Sequence, residues 1–558
     1  MSAVAAVGPA AIGGERRLAR WWPLAALIVL AAALRLATLT QQGFWYDEAF
    51  TPVHVLHAGL GATLKSVVHT ENTPPLWYLL AWADARLFGD GALALRLPSA
   101  LAGIATVPVV WAIGQELSGR RAALIGAALV AVNPLFVWYS QEARAYGLFV
   151  LFSALAMLCF ARLLRAPSGG RAAAFAVSGA LALLTHYFAV FLLAPMALWL
   201  LLDQRSRKAA LPAIGALALV GLALVPLISA QGGHGTQWIG RWALSSRLQA
   251  IPQYYLTGYS GSPLGRGVEL LVALPLLAGV LIGGFRLLAG PRPAPAPVPA
   301  PARSTTTAAP AAAEAPEPSR EGASISFSIA AFAVLAPVAL AVLGADYLAP
   351  RNLVGAMIPV SVLVAILLAA VPAPLGPLLA GAGAAGLMAV SIDVDLSPRL
   401  QRGNWRDVAK LLRHPAAAAG SASGRPVPAA TTRVLTTVEL GAAPLEYYLS
   451  DQRLRNLSRH ASVTVSEIDA TGYSPLRAGA ADPPAPGFRL LERRNVDGLI
   501  VYRFVSSIPR TVSEADLRRH VITLAHPEVL VPSGARVSRA DAGMGTLPVQ
   551  MSSSDQNI

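Results

Sequence analysis

The sequence predicts an α-helical polytopic membrane protein, with about 11 transmembrane helices and a small C-terminal α/β domain, and three observations carry that prediction. Of its 558 residues 55% are hydrophobic and 13% charged, about half the ionic content of a soluble chain. The apolar residues gather in blocks of about 20, the length that crosses a bilayer as a helix. Beyond residue 391 this block pattern stops, and the composition becomes that of a soluble domain. An ordinary water-soluble protein is thereby excluded. The net charge of +14 is a topology signal and not a nucleic-acid signal, because many basic residues stand in short gaps between apolar blocks. Cys159 is the only cysteine and lies within an apolar block, which leaves no disulfide framework and no cysteine metal site.

Residues 1–20 place Arg16, Arg17 and Arg20 ahead of the first block, 21–39, and no small-residue cleavage site follows it. That block reads as a retained span, not a signal peptide. Further blocks run near 92–113, 122–138, 146–164, 172–185, 187–202, 209–229, 267–288, 325–344, 352–370 and 374–391. With a cytoplasmic N-terminus, Arg120 and Arg121, then Arg162, Arg165 and Arg171, then Arg205, Arg207 and Lys208, then Arg286 and Arg292 all fall inside, as the positive-inside rule requires. An odd number of spans puts everything after about 392 on the outer face of the inner or plasma membrane. The transmembrane domain is thus expected over 21–391, with an outer loop at 41–90. The Pro/Ala-rich stretch at 291–320 cannot bury a core and reads as a disordered cytoplasmic linker.

In the extracytoplasmic domain, expected over 392–508, residues 404–412 begin like a capped amphipathic helix, 433–438 like a strand and 441–449 like a second helix. Residues 488–494 and 498–504 read as a hairpin around Asn495 and Asp497. The tail at 509–558 carries no assignment.

Charged residues beside membrane helices are the informative ones, and four groups fall on the predicted outer side. Phe44-Trp45-Tyr46-Asp47-Glu48 opens the outer loop; its plainer reading is an aromatic interfacial belt followed by a helix N-terminus. Glu71-Asn72-Thr73-Pro74-Pro75-Leu76-Trp77-Tyr78 sets paired prolines before an amphipathic or re-entrant segment. Tyr139 to Tyr146 carries Glu142 and Arg144, which could simply pair with each other. Asp346-Tyr347 and Arg351-Asn352 stand near His186-Tyr187 in depth, and a purely structural Arg351 would pair with Asp346. Carboxylates, guanidinium groups and an imidazole at one membrane face suit a reaction in which a carboxylate activates a hydroxyl while Arg neutralises a leaving phosphate. Transporters more often place such charges near the midplane in broken helices, so the location favours an enzyme.

The runs FWYDEAFT, ENTPPLWYLL, YSQEARAYGL, LTHYF and YLAPRNL, in that order, resemble the GT-C membrane glycosyltransferases. The bacterial mannosyltransferase or protein O-mannosyltransferase-like branch, which is glycosyltransferase family 39-like, fits best. The resemblance spans roughly residues 20–410 and takes in NWRDVAKLL after the last span. It implies a sugar, mannose or another hexose or pentose, passed from a polyprenyl-phosphate donor to a hydroxyl of an acceptor glycan, lipid or protein, with inversion. By the same resemblance Asp47 is the catalytic base, Glu48 its neighbour and Glu142 a second acidic site residue. Arg144, His186 and Arg351 lie near the donor phosphate, and Tyr46, Glu71, Tyr139 and Tyr347 are acceptor or loop contacts. Relatives commonly carry His before the Pro-Pro pair, whereas Asn72 and Thr73 stand there in this chain. Asp47, Glu48 and Glu142 offer oxygens to a divalent cation, but this branch manages without one, so no metal and no cofactor are expected. The competing readings are a transporter or flippase of lipid-linked sugars and a non-catalytic membrane scaffold.

Overall fold

The computed structural model describes residues 9–261, 264–289, 319–415, 433–474, 476–520, 522–523 and 527–539. The expected linker at 291–320 lies almost wholly outside the described residues, as does the end of the tail. Two compact units emerge. One comprises Met1–Gln42 with Val55–Gln401, the other Gly43–His54 with Arg402–Ile558.

The chain opens with α1 (Pro9–Leu36) and the short α2 (Tyr46–Phe50), the latter folding with the second unit. The rest of the first unit is helical: α3 (Leu60–Thr70), α4 (Leu76–Phe88), α5 (Ala92–Ser118), α6 (Arg120–Val132), α7 (Pro134–Ser140), α8 (Tyr146–Arg165), α9 (Gly169–Thr185), α10 (Val190–Leu202), α11 (Arg207–Gln231), α12 (Gln237–Arg241), α13 (Leu244–Gly261), α14 (Arg266–Ala289), α15 (Arg320–Val342), α16 (Met357–Ala370) and α17 (Leu375–Leu396). The outer loop expected at 41–90 is therefore largely α2, α3 and α4. Among the described residues seven helices are long and apolar enough to cross a bilayer, and an eighth forms if α6 and α7, bent by 57° at their junction, count as one. The apolar stretches Trp21–Leu36, Gly169–Thr185 and Tyr187–Leu202 are shorter. Each of these segments falls on one of the expected blocks, and the chain is an integral membrane protein.

The break between α6 and α7 follows from Asn133-Pro134. Proline has no N–H to give to the carbonyl four residues back, and the Leu135 N–H donates instead to Asn133 Oδ1 at 2.9 Å. The carbonyls of Val130 and Ala131 thus lose their helical donors in an apolar interior, where an unmet polar group is costly. Arg35, fully buried on α1, supplies both: its guanidinium donates to Val130 O at 3.1 Å and Ala131 O at 2.8 Å, and to Ser140 Oγ at 3.2 Å. Ser391 of α17 serves the next carbonyl, Val132 O, at 2.6 Å.

The second unit is an α/β domain. Its sheet joins β1 (Arg433–Val438), β2 (Arg455–Asn456), β3 (Ala461–Tyr473), β4 (Arg489–Val496), β5 (Leu499–Ser513), β6 (Pro527–Val531) and β7 (Val537–Arg539) in the order β2-β6-β1-β3-β5-β4, with β7 on β3. Among the described residues only β1 and β3 pair in parallel. The helices are α18 (Trp405–Leu412), α19 (Ala442–Tyr448) and α20 (Glu514–Arg519). The expected boundary at 508 is corrected: β5 continues to Ser513, and α20, β6 and β7 complete the domain within the stretch read as a tail. Inside the sheet Arg503 donates to Glu467 at 2.7 Å and Asp469 at 3.1 Å. Burial and the neighbouring Glu467 hold Asp469 above the usual carboxylate range.

Candidate active site

The acidic run folds into the core of the second unit. Trp45 is 8% exposed and packs with Trp405, Leu412, Leu435, Leu445 and Leu449 on one sheet face. Phe44 is fully buried, its ring edge-on to Tyr447 with centroids 5.1 Å apart. The reading of these aromatics as an interfacial belt is thus corrected: they anchor a short helix to a folded domain. Asp47 and Glu48 occupy the first turn of α2, Asp47 half-buried and Glu48 fully buried. Carboxylates there complement the helix dipole. Tyr46 is half-buried against Trp45, ring centroids 4.4 Å apart.

In the first unit Glu71 and Arg144 pair. Arg144 Nη2 lies 3.2 Å from Glu71 Oε2, with the two side chains 16% and 4% exposed. Tyr78 donates to the same carboxylate oxygen at 2.5 Å, and its hydroxyl also lies 3.0 Å from Thr73 Oγ1. The Pro-Pro turn is tied to the end of α11, where Gln231 donates to Thr73 O and Val67 O and accepts from the Tyr187 hydroxyl at 2.6 Å. Asn72, at the position of departure from the relatives, donates to His234 O at 3.3 Å. Glu71 is therefore one partner of Arg144.

His186 sits in the connector between α9 and α10. It is buried, and its ring stacks on Phe149 at 4.6 Å. Phe149 is fixed in turn by Gly355, where a Cβ would stand 2.5 Å from the ring. The Phe188 N–H donates to His186 Nδ1 at 3.2 Å, so the ring proton resides on Nε2. Burial first, then the charges of Arg351 and Arg144, depress the imidazole and keep it neutral. The Tyr139 ring lies against Tyr146 with centroids 4.7 Å apart, and Tyr146 against His186 at 5.9 Å. The first unit thus contains Arg144, His186, Arg351, Tyr139 and Glu142. Arg351 lies over the Trp238 ring at 4.9 Å, a cation–π contact.

Asp346, the partner that a purely structural Arg351 would take, is engaged by another residue. Asp346 is held by Arg247 in a two-pronged contact of 2.6 and 2.7 Å, and Arg247 also donates to Leu348 O. Tyr347 is 49% exposed, and its carbonyl accepts from the Asn352 side chain. Sequence reading missed Arg247, Trp238 and Gln231, which belong to segments between recognised motifs and carry no local pattern. Among the described residues no group of three or more His, Cys, Asp and Glu side chains is gathered to hold a metal ion.

Residues 72–229 match the family model described as dolichyl-phosphate-mannose-protein mannosyltransferase. YkcB of Bacillus subtilis (strain 168), named as a candidate mannosyltransferase, is 25% identical over 142 residues, which are 23% of this chain and 20% of that protein. Among solved structures, ArnT from Cupriavidus metallidurans bound to undecaprenyl phosphate aligns over 86% of this chain and 97% of its own, at 12% identity and a TM-score of 0.47. The Archaeoglobus fulgidus oligosaccharyltransferase in complex with Zn and sulfate aligns over 76% of this chain and 61% of its own, at 14% identity and a TM-score of 0.45. The matched stretch thus spans a fifth of the Bacillus relative and under two thirds of the archaeal enzyme. YSQEARAYGL and LTHYF lie within the family match, and the resemblance to GT-C mannosyltransferases read from the motifs is borne out there.

Proposed function

We propose that this chain is a membrane glycosyltransferase that moves a hexose or pentose from a polyprenyl-phosphate donor to an acceptor hydroxyl at the outer face of the cell membrane. The observation that carries this reading is the buried His186, its Nδ1 taken by the Phe188 N–H and its ring stacked on Phe149, in the same unit as Arg144 and Arg351. The unit thus offers two guanidinium groups and one imidazole whose Nε2–H is its donor. That combination suits a phosphate: Arg matches its oxygens in pairs, and a neutral imidazole adds a hydrogen bond without competing for charge.

In the proposed reaction Asp47 takes the proton of the acceptor hydroxyl, the oxygen attacks the anomeric carbon, and the bond to the phosphate oxygen breaks with inversion. The leaving polyprenyl phosphate gains a negative charge that Arg351 and Arg144 stabilise. No divalent cation is required in this scheme. In this reading the N-terminus lies in the cytoplasm and the α/β domain outside, as the positive-inside pattern of the basic connectors suggests. A transporter or flippase, or a scaffold, would need no carboxylate base and no donor cleavage.

The test uses radiolabelled undecaprenyl-phosphate hexoses and pentoses in native membranes, following release of undecaprenyl phosphate. Arg351→Lys, which keeps the charge but loses the planar fork, is expected to lower turnover about tenfold, and Arg351→Ala about 10²-fold or more, as for other donors to a developing anion. EDTA should leave the wild-type rate unchanged. Full activity in Arg351→Ala would remove Arg351 from the donor site, and loss of activity in EDTA would refute the cation-free scheme.

A further inference from the structure

Three consecutive residues of α19 meet the acidic segment at both of its ends. On the leading side the Phe44 N–H donates to the Tyr448 hydroxyl oxygen at 2.6 Å, and the Phe44 ring rests on Tyr447. There is no room for any side chain just before it: a Cβ on Gly43 would stand 2.9 Å from Tyr448 Oη and 2.9 Å from Arg406 Cβ. On the trailing side His54 Nε2 lies 3.3 Å from Glu446 Oε2, with the His54 ring against Phe50 at 4.8 Å. Between these anchors lie Asp47 and Glu48, with Trp45 locked into the core beneath. A helix of five residues such as α2 is too short to hold its own shape in water, so its conformation is imposed by what grips it. Every one of these contacts lies within the second unit.

We propose that Glu446, Tyr447 and Tyr448 are positioning residues that clamp the Asp47–Glu48 turn from both ends, making the C-terminal domain part of the machinery that aims the catalytic carboxylate. This rests on the reading of Asp47 as the base. A misplacement of about 1 Å at a reacting group costs on the order of 10²-fold in rate, so a clamp that fixes the segment has a direct kinetic consequence. The substrate does not touch Tyr448 in this scheme; the effect passes through the backbone of residues 44–48.

Two variants of the full chain test it, Tyr448→Phe, which removes one oxygen, and Gly43→Ala, which pushes the segment away from Tyr448. Hydrogen–deuterium exchange should rise about fivefold or more at residues 44–48 in both, the equivalent of one net hydrogen bond, with β3 and β5 unchanged. With the labelled undecaprenyl-phosphate sugars kcat per folded, membrane-inserted chain should fall about tenfold or more while the donor KM stays level, and the unchanged exchange of β3 and β5 excludes general loss of folded protein as the cause. Unchanged exchange in Tyr448→Phe overturns the clamp. Raised exchange with an undiminished kcat overturns its role in aiming the acid. A wild-type chain that consumes none of the labelled donors sinks the transferase reading, and raised exchange would then still support the clamp as a structural device.

Discussion

Replacing Arg35 by leucine should destabilise the first unit through two identified atoms, the carbonyl oxygens of Val130 and Ala131. In an unbroken helix these would accept from residues 134 and 135; Pro134 has no N–H, and Leu135 is bonded to Asn133 Oδ1. Arg35 is the donor for both. Leaving a buried acceptor unmet costs about 1–3 kcal/mol, which gives about 2–6 kcal/mol for the pair. Relief from burying a guanidinium offsets part of this, and interhelical hydrogen bonds in membranes average only about 0.6 kcal/mol, so the expected loss is near the lower end, about 2 kcal/mol. The mechanism is isolated by a double-mutant cycle. Pro134→Ala restores an N–H that can reach Val130 O, so Arg35→Leu should cost about 1 kcal/mol less in the Pro134→Ala background. Thermal unfolding of the full chain in detergent, analysed as rates if it is irreversible, reads both numbers. Additivity within about 0.5 kcal/mol, or an Arg35→Leu chain as stable as the wild type, would mean that Arg35 does not serve these two carbonyls.

Asp47→Asn should lower donor consumption by about 10²–10⁴-fold, the range for a general base, with donor KM unchanged in the same membrane assay; substantial residual turnover would move the base to Glu48 or Glu142. Burial, then Glu528, push Glu446 from its ordinary 4.5 up to about 7. The folded state therefore binds that proton more tightly than the unfolded chain, and Glu446 favours the fold most below about pH 4.5 and loses that contribution as pH rises through about 7. The melting temperature of Glu446→Gln should accordingly gain on the wild type between pH 5 and pH 8, and a gap that does not change with pH would contradict this.

The sequence was most legible where one stretch of chain decides its own structure. The segment at 404–412 announces a helix by its cap, and Asn404 Oδ1 does accept from the Asp407 N–H. The strand expected at 433–438 coincides with β1, and the expected helix at 441–449 contains α19. β3 was invisible because Glu467 and Asp469 interrupt its apolar pattern; they are buried with Arg503, more than 30 residues on, which meets them across the ladder, and with Arg433, which lies 3.8 Å from Asp469. The site follows the same rule. Arg144, His186 and Arg351 stand out as charges at the ends of apolar blocks, whereas Arg247, 99 residues from its partner Asp346, has nothing in its neighbourhood to mark it. The partners of Phe44 and Trp45 lie about 400 residues away, beyond any periodicity argument.

That last separation bears on how the protein is made. The second unit takes residues 43–54 from one stretch of chain and everything else from beyond Arg402, so its core spans two moments of synthesis. At about 5–20 residues per second, the roughly 350 intervening residues keep the aromatic segment waiting on the order of 20–70 s for Trp405 and Leu445 to leave the ribosome. Until then Phe44 and Trp45 are sticky, unprotected cargo for whatever chaperone patrols that compartment. A gene fragment cut at the obvious place, just after the last apolar helix, would encode a domain missing its own central tryptophan, soluble only when a peptide spanning 43–54 is supplied alongside it.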